Sequence, residues 1–267
     1  MGNTPKTSGM TFGSTKVNHP ETKRQWSGAC IGAVATSVII ALAMGDTLFA
    51  QPGHSPQRRA GTTSAPTSAP ANAIVLFDGK DLSKWTDRGR RPLRWKVEHG
   101  AMIVTPGTGD AVTKDKFTDF RLHMEFRIPT AADGLAQHRG NSGVYLQGRY
   151  EIQIIDSYGR KPESHQCGAL YSIAAPRVNA CKPAGQWQRF DITFHAPKFD
   201  AQGKMTRKGR VTILQNGVKT LDEVEFDHAT PSPSDQHLAQ PGHIRLQNYG
   251  GAPVRFRNMW LVPLKDD

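Results

Sequence analysis

Residues 120–128 read FRLHMEFRI and alternate between apolar and polar side chains along most of their length. Such alternation is typical of a β-strand that buries one face, because successive side chains point to opposite sides of a sheet. Leu122 and Phe126 are therefore expected to face a core, and His123 and Glu125 to face the other way. The segment predicts a long strand with one buried face.

Short strand patterns of this kind, separated by turn residues, recur through the chain from about residue 73 onward. His99-Gly100 and Asn216-Gly217 each separate two such segments, as the two-residue turns of β-hairpins do. Roughly ten strands without an amphipathic helix predict an all-β fold in which two sheets pack as a sandwich. Besides 120–128, the expected strands are 93–98, 101–105, 144–146, 150–155, 187–195, 210–215, 218–222, 244–247 and 254–262.

The first 72 residues have a different character. Lys23-Arg24 precede an apolar stretch, residues 26–45, and the small residue Ala50 follows it. This order indicates either a cleaved secretory signal or an uncleaved membrane anchor, since the stretch is near the ~20 residues that a spanning helix needs. Residues 51–72 are rich in Pro, Ser, Thr and Ala, which is typical of a flexible tether.

The expected organisation is therefore a signal peptide or anchor over 1–50, a linker over 51–72 and one folded domain over 73–267. Both interpretations of the apolar stretch place the domain outside the cytoplasm, in the periplasm, in the medium or on the outer surface. The membrane would be contacted only through an uncleaved anchor.

The formal net charge is +11, which raises the question of an anionic partner. Lysines and arginines are scattered, however, and even the densest group, between Arg88 and Arg94, is interrupted by Gly, Pro and Leu. No nucleic-acid-binding motif accompanies them, so nucleic acid is not an expected partner.

Two cysteines, Cys167 and Cys181, remain in the expected domain once Cys30 is assigned to the signal segment. An even pair in an exported chain predicts a disulfide, and two buried free thiols are the alternative. The chain contains no Cys-x-x-Cys, which gives a redox or zinc role little support.

Polar residues follow the outward positions of two expected strands. Glu151 and Gln153 alternate with isoleucines, and Arg245 and Gln247 flank Leu246. A solvated sheet face would usually carry lysine and glutamate, whereas Gln, Asn, Arg and Tyr prevail here. The pattern favours a concave sheet that binds sugar hydroxyls over an idle surface.

Several segments, in order, resemble the 3-keto-disaccharide hydrolase domain family. They are IVLFDGKDLSKW at 74–85, NSGVYLQGRYEIQIIDS at 141–157, CGALY at 167–171, GQW at 185–187 and VRFRNMW at 254–260. The resemblance implies a two-sheet concanavalin-like or laminin-G-like jelly-roll sandwich, and chemistry on sugars already oxidised at C3. Asn248-Tyr249-Gly250 stands where the family often has Asp-His-Gly.

A 3-keto glycoside can be cleaved by one well-placed base, because the ketone acidifies the C2 proton and the resulting enolate can expel the C1 group. Glu151 is the first candidate for this base, with His123, Glu125 and His165 as rivals. The expected catalytic residues are Glu151, His165 and Tyr145, and the expected substrate-binding residues are Asn141, Gln153, Tyr171, Arg245, Gln247 and Arg257.

Other functions stay open at this stage. No cofactor is certain, although His123 and Glu125 share a strand face on which a divalent cation could sit. A retaining glucanase needs two carboxylates close together, and strict alternation puts Glu151 and Asp156 on opposite faces. A non-catalytic glycan-binding module and an adhesion domain remain alternatives, since fold alone does not assign function.

Overall fold

The computed structural model describes residues 68–130, 140–234, 237–250 and 252–265, and the architecture below refers to these ranges. The predicted signal or anchor over 1–50 and most of the predicted linker lie outside them. Within the described ranges no helix has the length and apolar character needed to cross a membrane.

The described chain is built from strands and turns, without an α-helix. The strands are β1 (Ile74–Phe77), β2 (Trp85–Thr86), β3 (Lys96–Glu98), β4 (Ala101–Ile103), β5 (Ala111–Thr113), β6 (Phe120–Arg127), β7 (Ser142–Leu146), β8 (Tyr150–Ile154), β9 (Trp187–His195), β10 (Lys198–Phe199), β11 (Met205–Arg207), β12 (Gly209–Gln215), β13 (Val218–Phe226), β14 (Arg245–Leu246) and β15 (Arg255–Pro263).

Two antiparallel sheets form the domain. The larger has eight strands in the order β13-β12-β9-β6-β15-β4-β3, with β1 also pairing with β15. The smaller has five strands in the order β2-β5-β14-β7-β8, and β10 and β11 form a separate hairpin. The predicted all-β, two-sheet sandwich is confirmed.

The core lies between the sheets and takes alternate residues from each. Phe190 and Ile192 of β9 contribute to it from the larger sheet, and Ile152 and Ile154 of β8 contribute from the smaller. Burial of each such side chain stabilises the fold by about 1.5–3 kcal/mol, because apolar surface leaves water. The opposite side chains of the same strands are thereby placed on the two outer faces of the sandwich.

Both predicted hairpin turns are confirmed. His99 and Gly100 have φ values of 51° and 72°, and Asn216 and Gly217 have 54° and 85°. Two successive positive φ values are the signature of a type I′ turn, which matches the twist of the flanking strands.

The predicted disulfide is not formed in the structure: Cys167 and Cys181 are free thiols. Their sulfur atoms share a donor instead, since Gln215 Nε2 lies 3.2 Å from the Cys181 sulfur and 3.6 Å from the Cys167 sulfur. A buried amide therefore links the two side chains. The free thiols correspond to the alternative that the sequence left open.

Candidate active site

The outer face of the five-stranded sheet carries a row of opposed polar side chains. Arg245 of β14 pairs with Tyr145 of β7, which pairs with Glu151 of β8. Beyond β8 the Tyr171 N–H donates to the Glu151 carbonyl over 2.9 Å, so residues 168–171 extend the sheet by one irregular edge segment. Directly opposed residues share a face, and Glu151 therefore stands between two tyrosines.

A second row, beside the first, combines one polar residue with two small ones. Gln153 pairs with Gly143 on β7, and its own N–H donates to the Ala169 carbonyl on the other edge over 3.0 Å. A Cβ atom at Gly143 would clash with Glu151 Oε1. Glycine at this position therefore makes the space that the Glu151 carboxylate occupies.

The Glu151 side chain is only 4% exposed, and its carboxylate is hydrogen-bonded by a neutral tyrosine. The Tyr145 hydroxyl donates to Oε2 over 2.7 Å, and Gln247 Nε2 donates to the same hydroxyl over 3.2 Å. Burial raises the pKa of Glu151 to about 7, although the Tyr145 hydrogen bond and the Arg245 charge act against the rise. Such a carboxyl can exchange a proton near neutral pH.

Arg245 is buried and already paired. Its Nη1 donates to Asp110 Oδ2 over 2.8 Å and its Nη2 to the Ser232 carbonyl over 3.0 Å. The guanidinium carbon lies 3.3 Å from the centroid of the Tyr145 ring, a cation–π contact. Burial and the neighbouring Glu151 charge raise the pKa of Tyr145, so the hydroxyl remains a donor.

Two buried acceptors, on β8 and just before β7, lack a partner among the described residues. They are Gln153 Oε1 and Asn141 Oδ1. Both residues have the strand parity of Glu151 and Tyr145 on β8 and on the start of β7. Because buried polar atoms in native proteins are almost always satisfied, these oxygens are suited to receive hydroxyl donors from a ligand.

His165 and Tyr171 lie at the rim of this face. The His165 ring meets Tyr171 edge-on with centroids 4.9 Å apart, and its two nitrogens lie 3.2 Å and 3.1 Å from the Ser164 and Ser172 hydroxyls. His165 is exposed, so it adjoins the Glu151 row through Tyr171.

Arg257, predicted to bind substrate, is not brought together with Glu151. It lies on β15 of the eight-stranded sheet, where its Nε donates to Glu125 Oε2 over 2.7 Å. The neighbouring Phe256 is buried in the core, which turns Arg257 outward on the opposite side of the sandwich. The alternation that predicted its outward direction could not tell one outer face from the other.

Two of the three rival bases, His123 and Glu125, share that distant face. His123 Nδ1 lies 2.6 Å from Asp191 Oδ1, and Glu125 Oε1 accepts from Asn258 Nδ2 over 3.0 Å. Asn258 reaches Glu125 from an irregular stretch of β15, where the pairing with β6 shifts and its φ is +46°. In the described part of the chain no three His, Cys, Asp or Glu residues are grouped to hold a metal ion.

Two residues of the site carried no signal in the sequence. Asp110 precedes β5 and accepts from both Arg245 and the Asn248 N–H, the latter over 2.8 Å. Thr230, in a loop after β13, accepts the Glu151 N–H over 2.9 Å. Neither Asp110 nor Thr230 could be predicted without the three-dimensional structure. Gly143, by contrast, lies in the quoted hairpin.

Residues 72–262 match the family model described as the 3-keto-alpha-glucoside-1,2-lyase-like domain. The chain is also similar to the crystal structure of a candidate glycosyl hydrolase from Parabacteroides distasonis, at 38% identity and a TM-score of 0.67 over 74% of this chain and 86% of that one. A second candidate glycosyl hydrolase from the same organism aligns at 19% identity and a TM-score of 0.54, over 73% and 95% of the two chains. No curated protein matches the chain.

Proposed function

We propose that this chain, which belongs to the 3-keto-alpha-glucoside-1,2-lyase-like domain family, is a carbohydrate-active enzyme that cleaves 3-keto glycosides. One observation carries the proposal beyond the family: Glu151 is a buried carboxyl whose pKa is raised to about 7. The similarity to a candidate glycosyl hydrolase at 38% identity supports the same class of substrate.

The proposed reaction begins with removal of the C2 proton, and the C2–H electrons move into an enolate that ends on the C3 oxygen. The enolate then reforms the ketone and expels the C1 substituent, which leaves with a proton as an alcohol. Water adds its hydroxyl to C1 and a proton to C2, which gives the free 3-keto sugar. The ketone is essential, since it stabilises the carbanion that an ordinary glycoside cannot form.

Glu151 is assigned the role of the base. A base acts best when its pKa lies near the working pH, because enough of it is ionised while it still binds a proton strongly. Tyr145 occupies Oε2 as a donor, and Oε1 lies on the Gly143 side, where no side chain intervenes. The proton from C2 is therefore expected to arrive at Oε1.

Substrate hydroxyls are assigned to Gln153 Oε1 and Asn141 Oδ1, because these buried acceptors lack protein partners among the described residues. Tyr171 and His165 would line the entrance. Arg245 is not assigned to the substrate ketone, since both of its Nη groups already donate to protein oxygens. Its role here is to hold Tyr145 against Glu151.

Export is part of the proposal, with residues 1–50 as signal peptide or anchor and 51–72 as the tether. Cell fractionation of the full chain tests it. The domain is expected in the periplasm, in the medium or on the membrane, and recovery of all of it from the cytoplasm would contradict the assignment.

The activity is tested with an aryl 3-keto-glucoside and with the same glucoside before oxidation. Aglycone release is expected from the keto form alone, with kcat/KM rising with pH up to about 7 as Glu151 ionises. Release from neither compound, with or without added divalent metal, would remove the enzyme proposal.

The second candidate is a glycan-binding module without turnover, favoured by the unpartnered acceptors of Gln153 and Asn141. Glu151→Gln separates the two proposals, since glutamine keeps the shape of the side chain but cannot accept the proton. A binder should keep its affinity in the variant and show no turnover in either form. The enzyme should also keep its affinity, but it should turn over substrate as wild type and lose that rate in the variant.

A further inference from the structure

A second groove lies on the outer face of the eight-stranded sheet, on the opposite side of the sandwich from Glu151. Its volume is about 300 Å³, and Lys182, Trp187, Gln188, Arg189 and Arg257 are among the residues that line it. This volume falls at the lower end of the range for small-molecule sites.

The groove has an excess of positive charge. Arg257 is paired with Glu125 at 2.7 Å, and Arg189 with Asp191 at 3.4 Å. Lys182 has no carboxylate within ion-pair distance among the described residues, and its Nζ donates to the Trp187 carbonyl over 3.2 Å. Three cations thus face two carboxylates, which leaves the groove complementary to one negative charge.

Gln188 borders the groove, but its side chain is turned toward the core. Its side chain is 1% exposed, and its Oε1 accepts the Lys182 N–H over 3.0 Å and lies 3.4 Å from Asn216 Nδ2. These donors fix Oε1 toward the protein, and Nε2 has no acceptor among the described residues. Gln188 has the strand parity of the core residues Phe190 and Ile192, so its amide lies on the core side of β9 and does not face the groove.

The groove continues beyond the ion pair of Glu125 and Arg257. A second hollow of about 530 Å³ shares these two residues and is also lined by Trp260. Trp260 is 5% exposed, and its Nε1 has no partner among the described residues. Two hollows joined at one ion pair are longer than a monosaccharide needs, and the second contains an orphaned N–H donor.

We propose that this groove is a second carbohydrate-binding site that takes an acidic oligosaccharide, with the carboxylate of a uronic acid held by Lys182 and Arg189. The free Trp260 N–H calls for an oxygen acceptor, and the surplus charge calls for an anion. The guanidinium of Arg257, 3.9 Å above the Trp187 ring, supplies a flat, rigid floor between the two hollows. The site is independent of the reaction proposed for Glu151.

The test is a titration of the full chain with sodium glucuronate, followed by NMR or calorimetry, with glucose as the neutral control. Glucuronate is expected to bind at least ten times more tightly than glucose, and more weakly as salt rises, because charges attract it. Lys182→Gln and Arg189→Gln are each expected to weaken glucuronate binding several-fold. The matched control Lys96→Gln removes an exposed lysine from β3 of the same sheet and should change nothing.

Three outcomes would overturn the proposal. They are no detectable glucuronate binding, unchanged binding in both groove variants, and inorganic sulfate binding as tightly as glucuronate, which would reveal a bare oxyanion site. Glu151→Gln distinguishes the two faces, since it should abolish turnover of a 3-keto glucoside and leave glucuronate binding intact. Loss of glucuronate binding in Glu151→Gln would instead place the acidic sugar at the Glu151 face.

Discussion

Glu151 and Glu125 are outward-facing glutamates, one on β8 at the end of the five-stranded sheet and one on β6 within the eight-stranded sheet. Their surroundings shift their pKa values in opposite directions. Around Glu151, burial outweighs a tyrosine hydrogen bond and raises the pKa to about 7. Around Glu125, burial also opposes ionisation, but hydrogen bonds from Asn258 and Arg257 outweigh it and lower the pKa. One carboxyl can therefore exchange protons at neutral pH, and the other is a fixed negative charge.

Beside the Asn258 hydrogen bond to Glu125, the arginines near these carboxyls contribute to the difference. Arg257 donates straight to Glu125, whereas the Nη groups of Arg245 are bonded to Asp110 and Ser232. Asp110 also raises the pKa of Glu151 through its own charge. The charge of Asp110 thus offsets part of the stabilisation that Arg245 gives to ionised Glu151.

The largest effect is expected from exchanging each glutamate for glutamine. Glu151→Gln should lower kcat/KM for a 3-keto glucoside by about 10²–10⁴-fold, the usual contribution of a general base. Glu125→Gln, the matched change on the other face, should leave the rate within a few-fold of wild type. Equal losses in both variants, measured as aglycone release, would break the comparison.

The next effect concerns stability. Arg245→Gln leaves Asp110 buried without its cation and should cost about 3–5 kcal/mol in urea unfolding, because a buried pair is broken on one side. The Arg257 side chain is 41% exposed, and Arg257→Gln should cost about 1 kcal/mol or less.

If Arg245→Gln does not fold, Asp110→Asn serves in its place, since it removes the same buried ion pair from the other side. Equal costs for the Arg245 and Arg257 changes would mean that burial does not separate the two arginines.

The smallest effect is a dependence of stability on pH. A carboxyl with a raised folded pKa favours the folded state only while it is protonated, so its contribution is complete below about pH 4.3 and is lost as pH rises to about 7. The loss should be on the order of 3 kcal/mol. Measured against Glu151→Gln at pH 4.5 and 7.5, wild type should lose stability on going to the higher pH.

Measured against Glu125→Gln, wild type should instead gain stability as pH rises. A carboxyl with a lowered folded pKa stabilises the fold above its unfolded pKa, and this contribution is lost as pH falls. The same trend in both glutamine variants would contradict the opposite pKa shifts.

Alternation along the strands was enough to predict the sandwich, the two hairpin turns and the polar face that carries Glu151. The strands that it missed, such as β2 and β10, have two residues each, too few to show a period. Alternation also cannot distinguish the outer face of one sheet from that of the other, so Arg257 was predicted to lie with Glu151. Only the strand order separates them.

The supporting residues of the site could not be predicted for a different reason. Asp110 and Thr230 come from segments far from β8 in sequence and reach Glu151 and Arg245 through the register of neighbouring strands and a loop. Asn248 is anchored to Asp110 in the same way. Such contacts are long-range, and a single sequence shows no local pattern for them.

Gly143 offers a simple way to sort related sandwiches. A methyl group there would displace the carboxylate beside it, so a homologous domain that keeps the glutamate but has a side chain at this position should be able to hold a sugar without turning it over. Loss of catalysis in such a lineage would need no change to any polar residue. Under the reaction proposed for Glu151, one added carbon atom would leave a sugar-binding domain without turnover.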